Sequence, residues 1–297
     1  MTRLPPPLLV LTCMRSYSSL VNAMLGQHPA MYGLPELNLF IADTLAGVVS
    51  TLQLVRPQSL HGLLRAVAQV EYQAQTVKTV EQARAWLRAQ GHWNARLFFE
   101  HLASRLGSPI LIDKSPSTVL QQVHLQRLHR TFPEARFLHL VRHPRPTSRS
   151  IHDIRRKAPR KSARVKAEPP PEQLWLQTNE NILRFTERLP VGQSMLIQGE
   201  HLLSNPELYL AQIADWLEIS SDAASLAAML HPEASPYSCI GPPNAPFGND
   251  PHFLRNPCYT KRPIPPQRLE GPLEWAAEIT SGFPPANVRL AQRLGYR

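Results

Sequence analysis

Arg15, Lys114 and Arg142 are the residues from which chemistry can be read first, because each closes a short apolar run. Arg15 follows LLVLT by two residues, Lys114 follows ILID directly, and Arg142 follows FLHLV directly. Arg15 also opens the pentapeptide Arg15-Ser16-Tyr17-Ser18-Ser19, behind which Leu20, Val21, Met24 and Leu25 recur at helical spacing. A turn entering a helix offers unpaired backbone N–H groups and the positive end of the helix dipole, and here three serine hydroxyls and a guanidinium are added. That combination suits an oxyanion. The same pentapeptide would also serve as an ordinary helix start, capped by Ser16 or Ser18 with Arg15 in solvent. The recurrence of the cations is what favours a ligand. In an open parallel sheet the carboxyl ends of the strands share one edge, where the crevice forms, so the three cations would face one anionic ligand.

The elements needed to hold such a crevice can be read in order. Leu8–Thr12 is a buried strand leading into a helix. Gly33 and Pro35 mark a bend, after which Leu37, Ile41, Leu45 and Val48 give an apolar stripe to a helix over 36–49. Residues 60–106, rich in Ala, Gln, Leu, Arg and Glu with breaks around Thr76 to Thr79 and at Gly91, read as an insertion of two or three helices. Ile110–Ile112 is a second strand, followed by a helix over 118–130. Arg136–Val141 is a third, followed by a helix carrying Ser148 and Ser150. A further helix over 172–188, a strand Ser194–Gln198, a helix after Asn205-Pro206 and a last helix from Asn287 complete the pattern. Residues 231–267 carry many prolines and glycines and no period, which reads as a lid-like irregular segment. The expected fold is α/β, a P-loop-like three-layer arrangement in which a central, mostly parallel sheet is flanked by helices, with residues 1–297 forming one domain.

Composition narrows the partners. The formal charge of +10 is concentrated in residues 155–166, RRKAPRKSARVK, whose seven basic residues leave 25 elsewhere against 22 acidic ones. The basic stretch, extended to about 171, reads as a mobile solvated loop, with an acidic partner as the next reading, so nucleic acid is not the expected ligand. Cys13, Cys239 and Cys258 have no metal-ligand spacing, and neither a secretory leader nor an apolar run of membrane-spanning length is visible. The expectation is a soluble cytoplasmic protein with no metal.

At this point the sequence resembles the PAPS-dependent sulfotransferases. TCMRSYSSLVNAML is similar to their 5′-phosphosulfate loop, usually basic-Ser-Gly-Thr-Thr. FLHLVRHPRPTSRSI is similar to their 3′-phosphate site, an Arg at a strand end and a Ser eight residues later, here Arg142 and Ser150. QHPAMYGLPELNLF and LIDKSPS resemble acceptor-side segments of the bacterial, polyketide-associated and protein-tyrosine branches, and LWLQTNENILRF and GEHLLSNPE resemble later elements. The resemblance covers most of residues 8–218. It implies that Arg15, Ser16, Tyr17, Ser18 and Ser19 hold the 5′-phosphosulfate of PAPS (3′-phosphoadenosine 5′-phosphosulfate) and that Arg142 and Ser150 hold its 3′-phosphate. It makes Lys114 and Arg15 the groups that stabilise the transferring charge, and Glu36 the base for a small-molecule or carrier-bound hydroxyl acceptor. His28, His143 and His152 are rivals for the base, since imidazole suits that work near neutral pH. Glu200 matches a structural glutamate. The helical insertion and residues 231–267 are expected to build the acceptor pocket. Two departures stand out: Tyr17 replaces the usual glycine, and Arg15 stands where the cytosolic branch has lysine. A P-loop-type small-molecule kinase, which shares the sheet but would carry the GxxxxGK[ST] consensus absent here, is the enzyme alternative. A non-catalytic anion-binding module with a basic partner-binding loop is the other.

Overall fold

The computed structural model describes residues 4–157, 168–275 and 282–297. In chain order the elements are β1 (Leu8–Leu11), α1 (Ser18–Leu25), β2 (Met31–Gly33), α2 (Leu45–Val55), α3 (His61–Tyr72), α4 (Val77–Ala89), α5 (Ala95–Arg105) and β3 (Ile110–Asp113). Then follow α6 (Gln122–Thr131), β4 (Arg136–Val141), α7 (Pro144–Lys157), α8 (Pro171–Thr186), β5 (Ser194–Gln198), α9 (Gly199–Ser204), α10 (Pro206–Trp216), α11 (Ala223–Ala228), α12 (Pro251–Arg255) and α13 (Pro285–Arg293). The strands form one sheet in the order β2-β3-β1-β4-β5, and every pairing is parallel. In register, Leu8 of β1 stands opposite Ile112 of β3 and Arg136 of β4.

Strand periodicity explains the layers. Side chains alternate faces along a strand, so Leu8 and Val10 point to one side and Leu9 and Leu11 to the other. The first pair packs with Val21, Met24, Leu202, Leu210 and Ile213 from α1, α9 and α10. The second pair joins a larger core in which α2 to α6 and α8 take part through residues such as Leu52, Leu64, Leu87, Phe98, Leu125 and Ile182. Both faces of β1 are therefore covered, which is why it reads as an unbroken apolar run. The expected α/β fold with a parallel central sheet is what the structure has.

Several elements differ from the sequence reading. Met31–Gly33, leading into the bend read at Gly33 and Pro35, is an edge strand paired with Ile110–Ile112. The helix expected over 36–49 begins only at Leu45, where the Thr44 hydroxyl accepts the Gly47 N–H at 3.2 Å. Asn38 sits in the left-handed region at φ 55°, which no helix continues through, so residues 34–38 cross the end of the sheet as irregular chain before a 3-10 turn at Leu39–Ile41. The insertion is three helices, bounded by a Thr76–Thr79 capping box and by Asn94 capping α5. Helix α7 continues to Lys157, so Arg155, Arg156 and Lys157 are helical rather than loop, and the rest of the basic run lies outside the described residues. Within 231–267 the chain forms a 3-10 turn at Pro232–Ala234 and the short α12.

Candidate active site

The carboxyl ends of β1, β3 and β4 are adjacent in the sheet, and they bring the three cations into one neighbourhood. The turn after β1 is made by two left-handed residues, Arg15 at φ 68° and Tyr17 at φ 63°. Tyr17 thus takes the conformation that a glycine would supply at this position, at a cost of about 1–2 kcal/mol for a residue with a Cβ. Its ring offsets that cost. The Arg142 guanidinium lies over it at 4.1 Å, and its edge packs so closely on Gly199 that a Cβ there would stand 2.8 Å from Tyr17 Cδ2. Arg142 Nη1 in turn donates to the Arg15 carbonyl at 2.8 Å. The first strand-end cation is therefore tied to the third through the Tyr17 turn.

Arg15 directs Nε to the Ser150 hydroxyl at 2.8 Å and Nη1 to the Asp250 carboxylate. Burial, and next the neighbouring Arg142, lower its pKa to about 10, while Glu36 acts in the opposite direction. Ser150, expected with Arg142 at the 3′-phosphate, is bonded to Arg15, whose carbonyl in turn accepts from Arg142. Ser16 and Ser18 are buried, and Ser19 accepts from Lys114 Nζ at 3.0 Å. Lys114 is 1 % exposed and donates its second bond to Glu36 Oε1 at 2.5 Å. One buried ammonium therefore joins the turn after β1 to the carboxylate expected as the base.

The two residues after Glu36, Leu37 and Asn38, are held by residues on β3 and the loop after it. Asp113 accepts from the Leu37 N–H at 3.3 Å and from the Ser115 hydroxyl at 2.9 Å, and Ser115 Oγ accepts from the Asn38 N–H at 2.9 Å. The Ser117 hydroxyl reaches Asn38 Oδ1 at 2.6 Å, while Asn38 Nδ2 donates to the Ser59 carbonyl at 3.0 Å. Burial pushes the Asp113 carboxyl up to about 6, against the lowering effect of these bonds. The Pro-Glu-Leu-Asn and Asp-Lys-Ser-Pro-Ser segments, far apart in sequence, are one bonded unit. Glu36 lies outside any helix, so its carboxylate is not a helix-dipole partner.

Two of the histidine rivals have spent their lone pair. His28 Nδ1 accepts from the Ala30 N–H at 3.0 Å, so Nε2 carries the proton and donates to the Ser220 carbonyl at 2.8 Å. His143 Nδ1 accepts from the Arg145 N–H at 3.1 Å, and burial together with Arg145 and Arg142 lowers its pKa to about 4. A ring whose acceptor nitrogen is occupied in this way has no lone pair free to take the acceptor's proton. His152 stands on α7 with Asp153 3.6 Å away. Glu200 bonds the His143 N–H at 2.8 Å and the Tyr296 hydroxyl at 3.0 Å, a structural task.

Among the described residues, the buried polar atoms without a hydrogen-bond partner include Ser16 Oγ, Ser148 Oγ, Arg142 Nε and His143 Nε2 around the crevice. Buried polar groups are rarely left so, and a cluster of them beside three cations is what an anionic, polar ligand would satisfy.

A family model described as "Sulfotransferase family" matches residues 6–223. The chain belongs to that family. Among solved structures, the sulfotransferase domain from the curacin biosynthetic pathway is similar at 22% identity and a TM-score of 0.75, over 100% of this chain and 99% of that one. The sulfotransferase domain from the Synechococcus PCC 7002 olefin synthase is similar at 23% identity and a TM-score of 0.77, over 100% and 98%. No curated protein matches the sequence.

In this sulfotransferase the segment 231–267 reaches the site, because the Gly248 carbonyl accepts the Glu36 N–H at 2.8 Å and Asp250 meets Arg15. Asp250, 235 positions from Arg15, is the site residue that sequence reasoning missed. Of the helical insertion, α3 touches the site through Gly62, where a Cβ would lie 2.1 Å from the Glu36 carbonyl oxygen. A cavity of about 320 Å³ lined by Val49, Leu64, Leu87 and Arg88 lies against α3 from elsewhere. Leu64 is two residues from Gly62, roughly 200° around the helix, so this cavity faces away from Glu36. Among the described residues no group of three or more His, Cys, Asp and Glu could hold a metal ion, and no helix is long and apolar enough to cross a membrane.

Proposed function

We propose that this sulfotransferase moves the sulfuryl group of PAPS to a hydroxyl acceptor, small-molecule or carrier-bound, by in-line displacement without a metal. The observation that carries this reading is the buried Lys114 ammonium bonded on one side to Ser19, in the turn suited to an oxyanion, and on the other to Glu36. The unpartnered Ser16, Ser148 and Arg142 atoms support it, since their chemistry fits a ligand with phosphate groups. When bound, PAPS supplies the sulfuryl group and a phosphate that leaves with its charge already spread over several oxygens.

The chain's residues divide the remaining work. Arg15, Ser16, Ser18, Ser19 and the N–H groups at the Tyr17 turn bind the 5′-phosphosulfate. Arg142 and Ser150 hold the 3′-phosphate, with the Tyr17 ring fixing the orientation of the Arg142 guanidinium. Lys114 offsets negative charge on the transferring oxygens, and Arg15 does so on the leaving side. Glu36 takes the proton of the acceptor hydroxyl as that oxygen forms its bond to sulfur. Moving the Lys114 ammonium towards the transferring group frees the Glu36 oxygen it now occupies. Three free cysteines suit a reducing, cytoplasmic setting.

Substitution of the 3′-phosphate residues tests the assignment. Arg142→Ala is expected to weaken binding of adenosine 3′,5′-bisphosphate by roughly 10- to 100-fold, and Ser150→Ala by only about 3- to 10-fold, because a bond to a charged group outweighs a single hydroxyl. A loss confined to acceptor KM in both variants would mean that the donor site lies elsewhere.

A further inference from the structure

Asp250 has no place in the scheme above, yet it is bonded to two members of the oxyanion turn. Its carboxylate pairs with Arg15 Nη1, and its own N–H donates to Ser19 Oγ at 3.0 Å. The other carboxylate oxygen accepts the His252 N–H at 2.8 Å and so starts α12. Two residues earlier, the Gly248 carbonyl holds the Glu36 N–H at 2.8 Å. Gly248 is at φ 125° and passes so close to α3 that a Cβ would lie 2.9 Å from the Gly62 Cα. The strap 248–250 therefore lies across both halves of the site, fastened to Glu36 at one end and to Arg15 and Ser19 at the other.

We propose that the Asp250 carboxylate is a built-in anion that closes the cradle by pairing with Arg15, and that the 5′-phosphosulfate of the donor must displace it from Arg15. The proposal rests on the donor reading given above. Arg15, Lys114 and Arg142 crowd together with Glu36 as the carboxylate facing Lys114, and Asp250 supplies a second negative charge where Arg15 needs one. A ligand carrying several negative charges competes for the same guanidinium and repels the carboxylate at contact distance. The strap can yield. Helix α12 is held by a small satellite cluster in which Phe253 and Leu254 pack on Ala23, separate from the main cores, and such lightly packed segments open at low cost. The apparent dissociation constant of the donor is then the intrinsic one divided by the fraction of molecules in which Asp250 has released Arg15.

Asp250→Asn keeps the shape and the helix cap but removes the competing charge. Calorimetric titration of the full chain with adenosine 3′,5′-bisphosphate should give a dissociation constant roughly three- to tenfold lower in the variant than in the parent. In the parent, hydrogen exchange of the amides over 248–255 should speed up when the nucleotide binds. A parent that binds while the variant binds no more tightly, or strap amides that become more protected on binding, overturns the role given to Asp250 and leaves the donor reading intact. If neither protein binds the nucleotide, both readings fall together.

Discussion

Replacing Tyr17 by glycine restores the residue that the sulfotransferases resembled by this chain usually carry, and the structure sets the magnitude of the result. One term favours glycine: relief of a left-handed φ of 63°, about 1–2 kcal/mol. Three oppose it. Losing a half-buried aromatic ring packed on Gly199 costs about 1.5–2 kcal/mol, losing the Arg142 contact at 4.1 Å costs about 0.5–2 kcal/mol, and the freer unfolded chain adds about 0.5–1 kcal/mol. The losses win by about 2 kcal/mol. Urea unfolding of Tyr17→Gly should show that decrease, and calorimetry with adenosine 3′,5′-bisphosphate should show weaker binding, because Arg142 loses the surface that orients it. A Tyr17→Gly protein as stable as the parent, binding the nucleotide equally well, would refute the view that the tyrosine ring is part of the cradle.

Glu36→Gln removes the proposed base while leaving an acceptor oxygen for the buried Lys114, so nucleotide binding should persist while turnover falls about 10²- to 10⁴-fold. This is measured as acceptor-dependent formation of adenosine 3′,5′-bisphosphate from PAPS over a panel of alcohols, and near-parental turnover would remove Glu36 from the role. Asp113, raised to about 6 mainly by burial, favours the folded state when protonated, so its contribution is complete below about pH 4 and is lost as pH rises through 6. Asp113→Asn, which cannot ionise, should therefore gain about 2–3 kcal/mol relative to the parent between pH 4 and pH 8 in denaturant titrations, and a gap independent of pH would contradict the assigned burial cost.

The strand ends were legible because buried parallel strands are unbroken apolar runs, and the cation after each run marks the crevice edge. The short β2 was not, since three residues ending in Gly33 and followed by Pro35 carry more turn signal than strand signal. The stripe Leu37, Ile41, Leu45 and Val48 fits a helical period, yet Leu37 is buried by irregular chain whose course Asn38 and the Asp113–Ser115 bonds dictate. Periodicity reports burial and not the path that achieves it. The resemblance assigned roles to Lys114 and Glu36, but neither their pairing nor the Lys114 bond to Ser19 was legible, because those contacts span 78 and 95 positions. Asp250 was hidden for the same reason, in a proline-rich segment with no local pattern of its own.

Recognition of a nucleotide by its 3′-phosphate as well as its 5′-anion, as proposed for this crevice, is tested most directly by one calorimetric comparison. Adenosine 3′,5′-bisphosphate and ADP carry the same base and similar charge but differ in where the second phosphate sits. The bisphosphate is expected to bind at least about tenfold more tightly, since Arg142 and Ser150 would meet a phosphate that ADP lacks. Equal affinity for the two ligands, or preference for ADP, would contradict it and favour a kinase-like use of the same sheet.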